Sequence, residues 1–217
     1  MFDFFPPLLS VVGLILFCRL TRGNGLWTLA VAGSALVATG GFLKASWKLL
    51  WVATAVDYNW MSSALFWCLG SGFMLLAGAA ISVMRSGRGA GAIGMLTIGL
   101  TLAIVMVAWM QWLPSRVTML GATVIANLVF MISLIAIARR QQKRSAAGLI
   151  VLNIVLTFVL AGLARIPEQT AALQWVEESL NFVAQGAFAL ASWLIWNASR
   201  ATDTSIKAAS TGESIQP

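Results

Sequence analysis

The sequence predicts an all-α integral membrane protein with seven transmembrane helices. Of its 217 residues, 59% are hydrophobic and only 10% are charged, against about 25% charged residues in an average soluble domain. Apolar runs of about 20 residues, the length that a helix needs to cross a bilayer, recur from end to end. These runs are apolar on all sides, whereas the strands of a transmembrane β-barrel alternate between apolar and polar residues.

Charged and turn residues bound each apolar run and define the spans in chain order. The first run follows Asp3 instead of a basic residue and has no small-residue cleavage site behind it, so we interpret it as a retained span and not as a signal peptide. The membrane domain is expected to cover 1–200 and to be followed by a short disordered cytoplasmic tail, 201–217. The seven spans are expected at 4–20, 26–55, 61–84, 90–113, 117–138, 145–166 and 171–198.

Basic residues are distributed unevenly between the gaps that separate the spans. Ten lysines and arginines follow spans 1, 3, 5 and 7, whereas only Arg116 and Arg165 lie in the other gaps. Basic residues are enriched on the cytoplasmic side of a membrane. We therefore expect an outward-facing N-terminus and a cytoplasmic C-terminus. The short loops between the spans are typical of a bacterial protein of the cytoplasmic membrane. The same distribution explains the net charge of +7, so no nucleic-acid partner is expected.

Two lysines, Lys44 and Lys48, lie in the outer half of span 2, in the stretch GGFLKASWKLLW. Both amines could extend to the outer headgroups, because a span of about 30 residues is longer than the bilayer core requires. Alternatively, they face the interior of the bundle, where charged side chains in membranes usually pair with one another. Glu178 in span 7 lies at a similar depth, so Lys48 or Lys44 with Glu178 is the predicted ion pair.

Carboxamide side chains near this depth predict an outward-facing polar pocket between helices 2, 3, 5, 6 and 7. Glu178, Asn181 and Gln185 follow one another at spacings of three and four, and therefore share one face of span 7. Asn127 in span 5 and Asn153 in span 6 lie at compatible depths, although each is also typical of an interhelical hydrogen bond.

Trp51 follows Lys44 and Lys48 on the same face of span 2. Its indole would pack either on a ligand ring or sugar, or against a neighbouring helix. If Glu178 neutralises Lys48, the pocket prefers a neutral polar or amphipathic ligand, whereas an unpaired second lysine favours a carboxylate or phosphate. The candidate ligand-binding residues are Lys44, Lys48, Trp51, Asn127, Asn153, Glu178, Asn181 and Gln185.

An internal similarity suggests a repeated unit of three helices. Residues 60–85 align with 175–200 without a gap and share five identical positions, and FPPLLSVVG at Phe5 shares a proline and a glycine with LPSRVTMLG at Leu113. This similarity predicts a 3+1+3 parallel repeat with span 4 as the linker. The layout resembles the topology of the SWEET sugar transporters, but the proline-glutamine signature of that family is absent, so no functional residue is carried over.

Residue content makes an enzyme the least supported class of function. The chain has no histidine, the commonest metal ligand and neutral-pH base. Glu177 and Glu178 are adjacent and diverge by about 100° around their helix, so they do not form a natural acid pair. No catalytic residue, metal or cofactor is predicted.

Two classes of function remain open. The favoured one is binding or transport of a small polar or amphipathic molecule through the outward-facing pocket. The alternative is a membrane sensor or accessory subunit that acts through a partner protein without transport. Expected partners are membrane lipids and the ligand, together with either a second copy of the chain or another membrane protein.

Overall fold

The computed structural model describes residues 2–23, 25–54, 56, 58–86, 88–110, 115–164, 166 and 170–212. Within these ranges a short 3₁₀ helix, Phe2–Phe4, precedes seven α-helices, and no strand is present. The helices are α1 (Phe5–Leu20), α2 (Trp27–Thr54), α3 (Asn59–Met84), α4 (Ala90–Trp109), α5 (Ser115–Arg140), α6 (Arg144–Leu163) and α7 (Ala171–Gly212). Helices α2 to α7 are long and apolar enough to cross a membrane, whereas α1 has 16 residues. The predicted all-helical, multi-pass architecture is confirmed at this level.

The last helix is longer than the apolar pattern predicts. Span 7 was expected to end at 198, but α7 has 42 residues and continues to Gly212. The backbone of 201–212 is therefore helical where a disordered tail was expected, and 213–217 lie outside the described residues, as does Arg165. Extending an existing helix requires no new nucleus, which explains why polar residues continue α7 beyond its apolar part.

Six helices form a closed ring, which we call the ring below. Among the described residues, each helix in the order α1, α2, α3, α5, α6, α7 packs against the next, and α7 packs against α1. Helix α4 lies outside this ring and contacts α3 and α5. Every consecutive pair of helices is in contact, but the ring passes directly from α3 to α5, which pack extensively against each other.

Four phenylalanines from the odd-numbered ring helices meet inside the ring and form the aromatic layer. Phe130 of α5 packs edge-on against Phe17 of α1 and Phe188 of α7, with ring centroids 5.0 and 6.0 Å apart. Its ring centroid is 6.4 Å from that of Phe73 of α3. Aromatic pairs at these separations favour such edge-on geometry.

Aliphatic side chains fill the ring on one side of the aromatic layer. Leu134, Ile150 and Ile195 are buried there, in one continuous core with Phe17, Phe130 and Phe188. This side is the basic end of the ring, which we define by Arg19, Arg85, Arg140, Arg144 and Arg200 at the adjoining helix termini. The ring is therefore closed by packing at its basic end.

The backbones of α2 and α3 approach closely at two glycines. A Cβ atom added at Gly33 would lie 2.7 Å from the carbonyl oxygen of Gly72, and one added at Gly72 would lie 3.0 Å from that of Gly33. Small residues permit such close packing of helices in membranes. In contrast, a Cβ atom at Gly91 or Gly99 of α4 would meet nothing within 4 Å among the described residues.

We expect Gly33→Ala to destabilise the protein, because the added methyl group meets backbone that cannot rotate away. The expected loss is about 1–3 kcal/mol in the free energy of unfolding, measured in mixed detergent micelles. Gly99→Ala is the matched control and should be neutral or stabilising by up to about 1 kcal/mol, because alanine is the better helix former. Equal effects of the two substitutions would contradict the close approach of α2 and α3.

Candidate functional site

A cavity of about 330 Å³ lies in the centre of the ring, on the side of the aromatic layer away from the basic end. All six ring helices contribute to its walls, and none of the described lining residues belongs to α4. Phe73, Phe130 and Phe188 line its inner part. Its polar lining residues are Ser10, Lys44, Thr123, Asn127, Asn153, Thr157, Asn181 and Gln185.

Three charged side chains form a cluster beside this cavity, which we call the charge cluster. The Nζ atom of Lys48 lies 2.7 Å from Glu178 Oε1 and 2.9 Å from Asp3 Oδ1. The predicted pairing of Lys48 with Glu178 is thus confirmed, whereas the second carboxylate was not predicted. The cluster joins the 3₁₀ helix before α1 to both α2 and α7.

Asp3 reaches Lys48 because α1 is short. With 16 residues against 28 in α2, α1 begins short of the end of α2 that lies away from the basic end. Partial burial raises the pKa of Asp3, but hydrogen bonds with Glu178 and Lys48 and the charge of Lys48 outweigh it, so its pKa lies below the ordinary value. Asp3 is therefore an ionised partner of the lysine. The length of the first apolar run was the signal that could have identified it.

Lys44 differs from Lys48 in its surroundings. It lies four residues before Lys48, about 6 Å along the helix axis, and its side chain is exposed to the cavity. No hydrogen bond or ion pair of Lys44 is found with any described residue. Of the two lysines, one is paired by protein carboxylates and the other faces the cavity.

The carboxamide side chains that line the cavity differ in how many hydrogen bonds they make within the protein. Asn153 is 2% exposed, and its Nδ2 donates to the carbonyl oxygen of Ala184 at 2.8 Å, which joins α6 to α7. Gln185 Nε2 lies 3.5 Å from Asn181 Oδ1, the limit of a hydrogen bond. In contrast, Asn127 Oδ1 is buried and has no hydrogen-bond partner among the described residues. Asn127 therefore has an unused hydrogen-bond acceptor. Asn153 lines the cavity and also makes an interhelical hydrogen bond, as its position in the sequence suggested.

The predicted site residues fall into three groups in the structure. Lys48 and Glu178 form the charge cluster. Trp51 does not line the cavity: its side chain is 51% exposed and stacks on Trp47, with ring centroids 6.3 Å apart. Trp47 lies one turn away on the same helix and offers the apolar surface on which Trp51 packs. The residues that line the cavity are Lys44, Asn127, Asn153, Asn181 and Gln185.

The structure also adds a wall that the sequence did not predict. Pro6, Pro7 and Ser10 of α1 line the cavity, although the predicted pocket lay between helices 2, 3, 5, 6 and 7. Apolar and small residues in a span have the same sequence pattern whether they face a cavity or the core. Only the short length of α1 indicated that its first residues could lie beside the cavity.

The arrangement can bind a small molecule through hydrogen bonds, one positive charge and an apolar floor. Within the described residues, no group of three His, Cys, Asp or Glu side chains is placed to bind a metal. Cavities of this size and mixed lining are typical of small-molecule sites. Comparison of the chain with known protein families, with curated proteins and with solved structures gave no match.

We expect Lys48→Met and Glu178→Gln each to destabilise the protein, and the double variant to lose less than the sum of both. The charge cluster is partly exposed, so a coupling of about 1 kcal/mol is expected in the free energy of unfolding. Lys44→Met is the matched control on the same helix and should change stability less than Lys48→Met does. Additive single effects would show that the pair contributes nothing to stability.

Proposed function

We propose that this protein binds a small polar or amphipathic molecule in the cavity of the ring and transports it across a cytoplasmic membrane. The observation that carries the proposal is a polar cavity bounded by all six ring helices and closed by packing on one side. Polar groups inside a membrane protein are costly and usually mark a substrate or ion pathway.

The order of the ring supports the 3+1+3 parallel repeat. Exchange of α1 with α5, α2 with α6 and α3 with α7 converts each neighbouring pair of the ring into another neighbouring pair. The sequence alignment of 60–85 with 175–200 equates Phe73 with Phe188, and both line the cavity and pack on Phe130. In transporters built from repeats, the substrate site lies at the interface between the repeats.

The contacts at the basic end support an outward-facing cavity. Arg140 of α5 donates to the carbonyl oxygen of Met84 of α3, and the guanidinium of Arg19 of α1 lies over the ring of Trp196 of α7. These arginines therefore lie at one end of the ring. Because basic residues are enriched on the cytoplasmic side, the closed end is assigned to the cytoplasm and the cavity to the outer side.

The charge cluster supports transport over static binding. Asp3 and Lys48 belong to the first three-helix unit, whereas Glu178 belongs to the second. Movement of one unit against the other would make or break this contact at the outer end and separate Phe130 from Phe17 at the inner end. Such rocking of repeats around a central site is the usual form of alternating access.

The alternative is a sensor or accessory subunit that binds the same ligand without moving it. It would act through a partner protein at the basic inner loops, and its cavity would open only to the outer side.

Ala38→Trp should abolish ligand binding, because Ala38 lines the cavity and an indole would fill it. The measurement is native mass spectrometry of the gently solubilised protein, in which wild type is expected to retain a discrete adduct. Ala32→Trp is the matched control, since Ala32 is exposed on the same helix. An adduct retained by folded Ala38→Trp protein would place the site elsewhere.

Cysteine accessibility should report which side the cavity faces. In a background with Cys18 and Cys68 replaced by alanine, Asn181→Cys should react with a membrane-impermeant maleimide added outside intact cells. Ala191→Cys should not react, because Ala191 is fully buried on the basic side of Phe188. Reaction at 191 but not at 181 would reverse the proposed orientation.

The same cysteine variant distinguishes transport from sensing. A transporter alternates, so Asn181→Cys should also react, at a lower rate, with maleimide applied to the cytoplasmic face of inverted vesicles. A sensor predicts reaction from the outer face alone.

A further inference from the structure

We infer that the ligand of the cavity is a small monocarboxylate, and that Lys44 binds its carboxylate group. This inference rests on the proposed function, because it names the ligand class of the same site. Four observations support it, concerning the charge, the type of cation, the unused acceptor and the floor of the cavity.

Charge is the first observation. Lys44 is the one charged side chain among the described residues that line the cavity. The nearby Lys48 is bonded to Asp3 and Glu178, so these carboxylates are already engaged by another cation. Lys44 has no directly bonded counterion among the described residues, and a lysine ammonium without one is costly in a membrane-embedded cavity. A bound anion would supply the missing partner.

The type of cation favours a carboxylate over a phosphate. A lysine supplies one positive charge, which matches a carboxylate, whereas a phosphate monoester carries about −1.5 to −2 near pH 7 and is usually bound by several cations or by backbone N–H groups at a helix N-terminus. No arginine is among the described lining residues. The helix terminus at the cavity is that of α1, where Pro6 and Pro7 have no N–H to donate. The site thus matches one negative charge.

The unused acceptor indicates a second polar group on the ligand. The buried Oδ1 of Asn127 has no partner in the described structure and lines the cavity, and buried polar atoms normally have one. A ligand hydroxyl or amide N–H would satisfy it. An ammonium is disfavoured, because none of the described lining residues is acidic.

The floor of the cavity is apolar. Phe73, Phe130 and Phe188 line it on the side of the basic end, where an aliphatic or aromatic body would pack. The volume of about 330 Å³ is at the lower end of the range for small-molecule sites, about 300–1,000 Å³. The ligand class is therefore a compact carboxylate that has a hydrogen-bond donor and an apolar body.

The test measures binding of matched probes to the full-length protein in micelles, by calorimetry and by the shift in thermal midpoint. The probes are 3-phenyllactate, its uncharged primary amide, 3-phenylpropionate without the hydroxyl group, phenyl phosphate and laurate. Wild type should bind 3-phenyllactate roughly tenfold or more tightly than the amide, the usual effect of one charge-assisted hydrogen bond. Phenyl phosphate should bind more weakly than 3-phenyllactate.

Two cavity variants and one control assign the contacts. Lys44→Met should remove the preference for the carboxylate over the amide while affinity for the amide stays unchanged. Asn127→Leu should remove the preference for 3-phenyllactate over 3-phenylpropionate. Lys143→Met, which changes an exposed lysine at the basic end, should alter neither preference. Laurate bound more tightly than the short carboxylates would assign the carboxylate to a lipid-derived acid and still support the role of Lys44.

The inference is overturned if the amide binds as tightly as the carboxylate, if Lys44→Met retains the preference, if phenyl phosphate binds best, or if no carboxylate binds. These failures are distinguishable from failure of the proposed function. A neutral ligand lost in Ala38→Trp but retained in Lys44→Met would leave the cavity as the binding site and change only the ligand class. An adduct retained by Ala38→Trp would instead reject the cavity.

Discussion

The contact of Lys48 with Asp3 and Glu178 is the interaction on which the arrangement of the ring depends. The three side chains are partly buried, and each finds an oppositely charged partner within the protein. The pairing brings the 3₁₀ helix before α1, the C-terminal half of α2 and the N-terminal half of α7 to one point. It thereby links the first and last helices of the ring beside the cavity, in addition to the packing of Gly13 of α1 against Phe188 of α7.

The two ends of the ring differ in what fills them. Toward the basic end, the aromatic layer and the aliphatic residues behind it fill the ring, and the buried polar residues among them are small hydroxyl residues such as Ser82, Ser133 and Ser192. Away from that end, carboxamides, hydroxyls and Lys44 replace them. The same six helices therefore form a packed, mainly apolar core in one half and a polar-lined cavity in the other. The proposed transport function requires such an asymmetry.

Much of the fold and part of the site could be predicted from the sequence. Apolar runs located the helices, because the bilayer fixes their length, and depth with helical phase found Lys48 and Glu178. The order of the helices around the ring could not be predicted, because the sequence of an apolar span does not indicate which other spans it packs against. That Trp51 lies outside the cavity lining could not be predicted, because helical phase gives the direction of a side chain without its surroundings. Phe130 was missed because a buried phenylalanine has the same pattern in any span.

Under the proposed 3+1+3 repeat, helix α4 has a consequence for the ancestry of the chain. A unit of three spans ends on the side opposite to its start, so a crossing helix must intervene before a second unit can run parallel to the first. In this proposal α4, which lies outside the ring, joins the two units and leaves each free to diverge. The position equivalent to Glu178 in the first unit is Ser63, and its partner is Arg116. A carboxylate therefore occurs at only one of the two equivalent positions. A dimer of identical three-helix chains would have the same residue at both positions, so it could not have this asymmetry.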